Sequence, residues 1–357
     1  MADWEDTTQG SDPQRKMGRI YRRRSQPSRR SVSRQRERTD AGGSFKDTRQ
    51  APISRATPMV FTLRFFASPG QDQPSWSELS LFLSSIDHML LLPQVQGNNP
   101  EYEYYNVDTR AYARFTGYVT DNPEDIGLVF ELNLPCPHVL AMECLVLPIA
   151  LAREFSLRLE YRPWAQDTDE AEPYGYANEA LYSSNNPQLE PLMGVWRVAC
   201  DKARHIWECV HGDSPQYRRS FLEWVWEYRN MAATLRNRYT RGTKKYLYNS
   251  PEFYQSRDDG RVFTLYDWRE GKPAVFPVVD RIRLSDWPIP ALNGRMIDAR
   301  AFFAQGKEWL KKMAVPIKHY VTRDSLDCAK LSQLLMQMPD LAPSEYDRVP
   351  YQWVEDI

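Results

Sequence analysis

Long apolar runs are missing from this 357-residue chain. The longest, Val139–Ala152, is broken by Glu143 and Pro148 and is followed by Arg153 and Glu154. It falls short of the roughly 20 apolar residues that a spanning helix requires, so neither a membrane span nor a membrane partner is expected. The opening residues Met1, Ala2, Asp3, Trp4, Glu5 and Asp6 give way to basic ones without the apolar stretch of a secretory signal, and export by that route is not expected. Cysteine is scarce. Cys136, Cys144, Cys200, Cys209 and Cys328 are odd in number and irregular in spacing, which argues against a disulfide framework and for free thiols in the cytosol or nucleus.

Signatures of catalysis are missing as well. The chain has no G-x-G-x-x-G after a strand, no G-x-x-x-x-G-K-[ST], no G-x-S-x-G and no H-E-x-x-H. Acids such as Asp286, Asp298 and Asp324 are scattered. No catalytic residue and no cofactor is assigned, and the chain is not expected to be an enzyme. Cys200, His205, Cys209 and His211 alone resemble metal ligands, but C-x4-H-x3-C-x-H matches neither a zinc finger nor the C-x2-C-x4-H-x4-C zinc knuckle. On a helix the two cysteines, nine residues apart, would also point to nearly opposite sides. His88 and His138 lie in apolar contexts and read as core histidines.

What the chain does have is 42% hydrophobic and 13% aromatic residues, enough for real cores, and a segregated charge. Between Arg15 and Arg38 stand eleven Arg or Lys against the single acid Glu37, a balance of +10. The first 14 residues carry −4, which leaves −7 for Thr39–Ile357 out of a total of −1. From Met1 to Thr57 large apolar residues are few, so burial cannot offset the entropy of ordering the backbone. Residues 1–57 are expected to be a disordered, Arg-rich arm.

The body is expected to be α+β, with a strand-rich N-terminal lobe over 58–162, an acidic linker or long loop over 163–190, and a helix-rich lobe over 191–357 with a β-hairpin. Met59, Phe61, Leu63 and Phe65 alternate as in a strand, and so do Leu128, Phe130, Leu132 and Leu134, and Phe155, Leu157, Leu159 and Tyr161. A helix capped by Ser75 or Ser77 is expected to run on to Pro93. Leu140–Leu147 fits either a buried strand or a helix. Further on, Leu192–Val210, the stretch from Tyr217 to Tyr239, Ile297–Met313 and Leu326–Met338 have helical spacing. Val262–Trp268 and Ala274–Leu284 read as the hairpin strands.

The arm carries the strongest functional signal. Arg15, Lys16, Arg19, Arg22, Arg23, Arg24, Arg29, Arg30, Arg34, Arg36 and Arg38 are spaced by Ser, Gln and Pro. Their charges can follow a phosphate backbone and release its counterions without a fixed fold and without reading sequence. The competing reading is a nuclear-import signal. A second stretch holds Arg229, Arg236, Arg238, Arg241, Lys244 and Lys245 with no acid between Glu227 and Glu252. Tyr239, Tyr246 and Tyr248 interleave there, and their rings could stack on bases of a single strand. Against this, cations are favoured at any helix C-terminus, and tyrosines at that spacing are often core. Trp196, Trp207, Trp224 and Trp226 fall in expected helices, where packing or subunit contact explains them.

In gross layout, a basic arm before an aromatic-rich body, the chain resembles the coat proteins of small RNA viruses and the capsid-type proteins of retroelements. The resemblance rests on no shared motif. It implies a self-assembling, RNA-packaging structural protein in the cytoplasm or a virion, partnered by nucleic acid, RNA before DNA, and by copies of itself. The alternative from another class is a nuclear or cytoplasmic adaptor that binds a protein partner.

Overall fold

The computed structural model describes residues 59–92, 100–161, 182–211, 213–240, 246–322 and 324–357. The whole arm lies outside them, as does most of 163–190. Among the described residues are seven α-helices and eighteen strands in a mixed α+β fold, as the sequence implies. No helix among them is long and apolar enough to cross a membrane.

An antiparallel seven-stranded sheet comes first, from strands β1 (Met59–Ala67), β2 (Met89–Leu91), β3 (Glu101–Tyr105), β4 (Tyr112–Gly117), β5 (Asp125–Leu134), β6 (Leu157–Tyr161) and β7 (Tyr182–Ser184) in the order β2-β3-β4-β5-β1-β6-β7. The alternation in β1 does what it implies: Phe61, Leu63 and Phe65 are fully buried. Opposite Phe61 and Leu63 in register stand Leu132 and Phe130 of β5. Gly127 in β5 has φ +69, and a Cβ there would lie 2.5 Å from the Tyr118 carbonyl oxygen. Only glycine allows this approach.

Helix α1 (Trp76–Ser85) begins at a capping box, in which Ser75 accepts from the Glu78 N–H and Glu78 accepts from the Ser75 N–H. It ends well before Pro93, because the chain turns at His88 with φ 68 and enters β2. His88 is exposed, contrary to the core position expected for it. The ambiguous apolar run is helix α2 (His138–Glu154), buried on nearly all sides against the sheet. A run apolar all round carries no period, and its 17 residues are long for a strand.

Helices α3 (Leu189–His211), α4 (Arg219–Asn230) and α5 (Ala232–Thr240) follow. The long apolar face from Tyr217 to Tyr239 is therefore divided at Met231, and Tyr217 itself lies in a short strand, β8 (Gln216–Tyr217). Leu192, Met193 and Trp196 of α3, Leu222 and Val225 of α4, and Val354 join Phe61, Phe65 and Phe130 in one core. Residues on both sides of 163–190 thus share one interior, and Pro58–Ile357 forms one compact unit. Trp226 and Trp224 sit half-buried on α4, and Trp207 meets Trp353 edge-on at 6.1 Å.

Beyond α5 the structure holds more strand than the helical spacing implies. Strands β9 (Leu247–Tyr248), β10 (Glu252–Ser256), β11 (Val262–Arg269), β12 (Ala274–Phe276), β13 (Arg281–Ser285), β14 (Met296–Asp298), β15 (Leu310–Met313), β16 (His319–Thr322), β17 (Tyr346–Val349) and β18 (Glu355–Asp356) make a five-stranded sheet β14-β13-β11-β10-β17, a four-stranded sheet β15-β16-β12-β9 and the pair β18-β8. The expected hairpin does not form: β11 pairs in parallel with β13, while β12 crosses to β16 and β9. Pro277 explains the division, since it has no N–H for a ladder and splits Ala274–Leu284 into two strands. The helix expected over Ile297–Met313 is only α6 (Ala299–Gln305), capped by Asp298 and ending at Gly306; β15 takes the rest. Helix α7 (Ser325–Gln337) is capped by Asp324. Trp268, Phe276, Phe302 and Leu331 centre the second core between these sheets and helices.

Candidate nucleic-acid interface

Arg15, Lys16, Arg19, Arg22, Arg23, Arg24, Arg29, Arg30, Arg34, Arg36 and Arg38 lie outside the described residues, as do Arg241, Lys244 and Lys245. Of the body's basic stretch the structure places Arg229, Arg236 and Arg238, and it separates them. Arg229 is a core residue, 6% exposed. Its Nη2 donates to the Pro251 carbonyl at 3.0 Å and its guanidinium lies 4.4 Å from the Tyr351 ring centre. Burial lowers its pKa to about 10, which still leaves it charged at neutral pH but out of reach of a ligand. Tyr248 is also removed from the surface set: its ring stacks on buried Tyr228 at 5.3 Å and 12°, and Arg236 covers it at 5.5 Å.

The remaining residues converge. Arg236 and Arg238 are exposed on the last turns of α5, and Arg238 Nη1 donates to the Val315 carbonyl at 2.9 Å. That bond carries the guanidinium toward the β15-β16 hairpin, over which Tyr239 and Tyr246 also lean. Arg238, Tyr239 and Tyr246 face Lys311, Met313, Val321 and Thr322 across a cleft of about 360 Å³. The β-strand period places Lys311 and Met313 on one side of β15, with Val321 opposite Lys311 and His319 opposite Met313. Lys312 falls on the other side, where it and burial together lower the pKa of Lys318, burial being the larger cause.

His319 sets the orientation of Tyr239. It is fully buried, and its Nδ1 lies 2.6 Å from the Ile317 carbonyl oxygen. A carbonyl only accepts, so Nδ1 carries the proton. Burial lowers the His319 pKa, the ring is neutral near pH 7, and Nε2 accepts from the Tyr239 hydroxyl at 2.7 Å. Tyr246 likewise turns its hydroxyl inward, toward the Thr322 carbonyl at 3.4 Å. Both hydroxyls are turned to the β15-β16 hairpin, and both residues line the cleft. The rings stand 5.7 Å apart at 58°. Among the described residues no acid lines this cleft.

Spacing does not single out Lys311, Met313 and Val321, because Leu310–Met313 reads as the end of a helix and the pairing of β15 with β16 is a tertiary event. A second cleft, about 420 Å³, mixes Glu208 and Asp213 with Arg218 and Arg261 and has no uniform sign to select a ligand.

The acids considered for catalysis have structural work. Asp298 accepts from the Ala301 N–H and Asp324 from the Asp327 N–H, each capping a helix, and Asp286 pairs with Arg269 at 3.0 Å. On helix α3 Cys200 faces the core while Cys209 is exposed, which is the divergence that their spacing on a helix demands. His138 is 2% exposed, with Asp356 2.6 Å from Nδ1 and Glu223 3.0 Å from Nε2. No protein-family model matches this chain, and neither a curated protein nor a solved structure is significantly similar to it.

Proposed function

We propose that this protein is a self-assembling, nucleic-acid-binding structural protein that packages RNA, like a coat or capsid protein, inside the cell or in a virion. The observation that carries the reading is the segregation of charge: +10 over Arg15–Arg38 against −7 over Thr39–Ile357. A body with net negative charge repels phosphate as a whole, so attraction concentrates on the arm and on local basic surface. Eleven cations on one short segment release counterions from whatever backbone they follow, and this supplies affinity without sequence preference. The body adds Arg236, Arg238 and Lys311, exposed beside tyrosine rings, a composition suited to single strands. Copies of the chain would supply the shell, with the arms meeting RNA within it.

The test is to purify the full chain from an expression host and measure particle mass together with the 260/280 nm absorbance ratio. Particles of many copies with a ratio above that of protein alone are expected. A monomer free of nucleic acid would overturn the packaging role and favour the adaptor with a localisation signal.

A further inference from the structure

We infer that the cleft between the end of α5 and the β15-β16 hairpin is a single-strand site, in which one unstacked base lies on the ring of Tyr246 while its phosphate meets Arg238 and Lys311; this rests on the nucleic-acid reading above. The assignment of parts follows from the geometry. The Tyr239 ring is occupied, because its hydroxyl is held by His319 and the Arg238 guanidinium lies over it at 5.7 Å. At 58° to each other the two rings cannot sandwich a base between parallel faces. Tyr246, half-buried and tied through its hydroxyl by a long 3.4 Å bond, is the ring a base can cover. Met313 and Val321 give the cleft an apolar wall, while Arg238 of α5 and Lys311 of β15 bring positive charge to it. At about 360 Å³ the cleft is near the small end of the roughly 300–1,000 Å³ of ligand sites, a size for one nucleotide and not for a helix of paired strands.

A duplex cannot use such a site, because its bases are stacked on one another and their faces are closed to a side chain. The arm, by contrast, neutralises phosphate on either form. The two contributions therefore separate by strand state: the arm sets the affinity common to both, and the cleft adds a preference for the single strand.

The test uses the full-length protein with an oligouridylate, a duplex RNA of matched length and uridine monophosphate, read by fluorescence anisotropy. Tyr246→Ala is expected to weaken oligouridylate binding about tenfold, the scale of one base–ring stack, and to leave duplex binding unchanged. Tyr246→Phe, which keeps the ring, should bind as the parent does, and Lys311→Gln should lower the single-strand salt slope by about 0.7. Thermal melting of each variant shows whether the fold is retained. Equal losses on single strand and duplex, no loss with Tyr246→Ala, or a Tyr246→Phe variant as weak as Tyr246→Ala would each overturn the single-strand site while leaving the packaging role standing. Full competition by millimolar uridine monophosphate would make the cleft a pocket for a free nucleotide and overturn it too. A parent protein that binds neither RNA removes the packaging role and this site together.

Discussion

The indole N–H of Trp226 donates to Glu143 Oε2 at 2.5 Å, tying α4 to α2 beside the first core. Glu143 Oε1 accepts from the Tyr104 hydroxyl at 2.8 Å, the Asn106 amide at 2.7 Å and the Thr109 hydroxyl at 2.9 Å. One buried carboxylate thus satisfies four donors from β3, the turn after it and α4. Glu143→Ala leaves all four without this partner and is expected to cost about 3–5 kcal/mol by denaturant unfolding. Glu143→Gln should also destabilise, since its amide N–H2 confronts donors. A Glu143→Gln variant as stable as the parent would show that the donors have other partners.

Much of that first sheet is legible in the sequence, and the reason is its single buried face. β1 and β5 alternate because one side meets α2 and α3, and the Ser75–Glu78 capping box is local chemistry that spacing alone reveals. What escapes notice depends on distant residues. The parallel pairing of β11 with β13 has no local signature, and the burial of Arg229 under Tyr351 cannot be told from an exposed base in the order of charges along the chain. The site is half visible on the same terms: Arg238, Tyr239 and Tyr246 are near in sequence, while Lys311 reaches them only through the β15-β16 pairing.

Gly127→Ala is expected to destabilise the protein by about 2 kcal/mol or more, because φ +69 is strained for alanine and its Cβ would press on the Tyr118 oxygen 2.5 Å away. Gly271→Ala is the control: its φ is +64 but nothing lies within 4 Å of the added Cβ. The difference between the two variants in thermal melting measures the close approach alone. Equal losses would mean that the strand shifts to accommodate the methyl group.

Stability should fall as pH rises from 5 to 8. Burial is the largest influence on Glu355, 3% exposed, and raises its pKa from 4.5 to about 7 despite relief from Arg204 and Ser214. The folded state therefore holds a proton that the unfolded state has released, and the penalty grows from the unfolded pKa to the folded one, on the order of 3 kcal/mol in all. His138 acts in the same direction. Burial lowers its pKa, but the hydrogen bonds with Asp356 and Glu223 outweigh that and raise it. Its contribution is present below the unfolded value of about 6.5 and is lost as pH passes the folded one. Glu355→Gln should melt higher than the parent at pH 8 and equal to it at pH 5, with a smaller pH dependence left from His138. A variant that melts lower at pH 8 would show the charged carboxylate to be favourable where it is.

Replacing the eleven Arg and Lys residues of Arg15–Arg38 with Gln should weaken RNA binding by orders of magnitude at moderate salt. Every phosphate that the variant no longer neutralises removes about 0.7 from the slope of log affinity against log salt for a single strand. The weakening should be the same for RNAs of different sequence, because bonds to phosphate carry no base information. Unchanged affinity would move the binding energy to the body.

The surface of α5 and the core beneath it should respond differently to substitution. Arg236 and Arg238 are exposed, and each lays its guanidinium on one ring, Tyr248 and Tyr239 respectively, an interaction worth about 0.5–1 kcal/mol at exposed sites. Changing both to Gln should therefore cost about 1–2 kcal/mol at most, and the single-strand salt slope should fall by about 0.7 for each that touches phosphate. Extending the change to Arg241, Lys244 and Lys245 tests the whole stretch. Tyr228 lies under the same surface, is fully buried and stacks on Tyr248, so Tyr228→Ala should cost about 3–5 kcal/mol as large aromatic truncations do. If instead the arginine variant unfolds like Tyr228→Ala, these cations hold the fold by covering the rings, and the affinity of the protein for RNA rests on the arm.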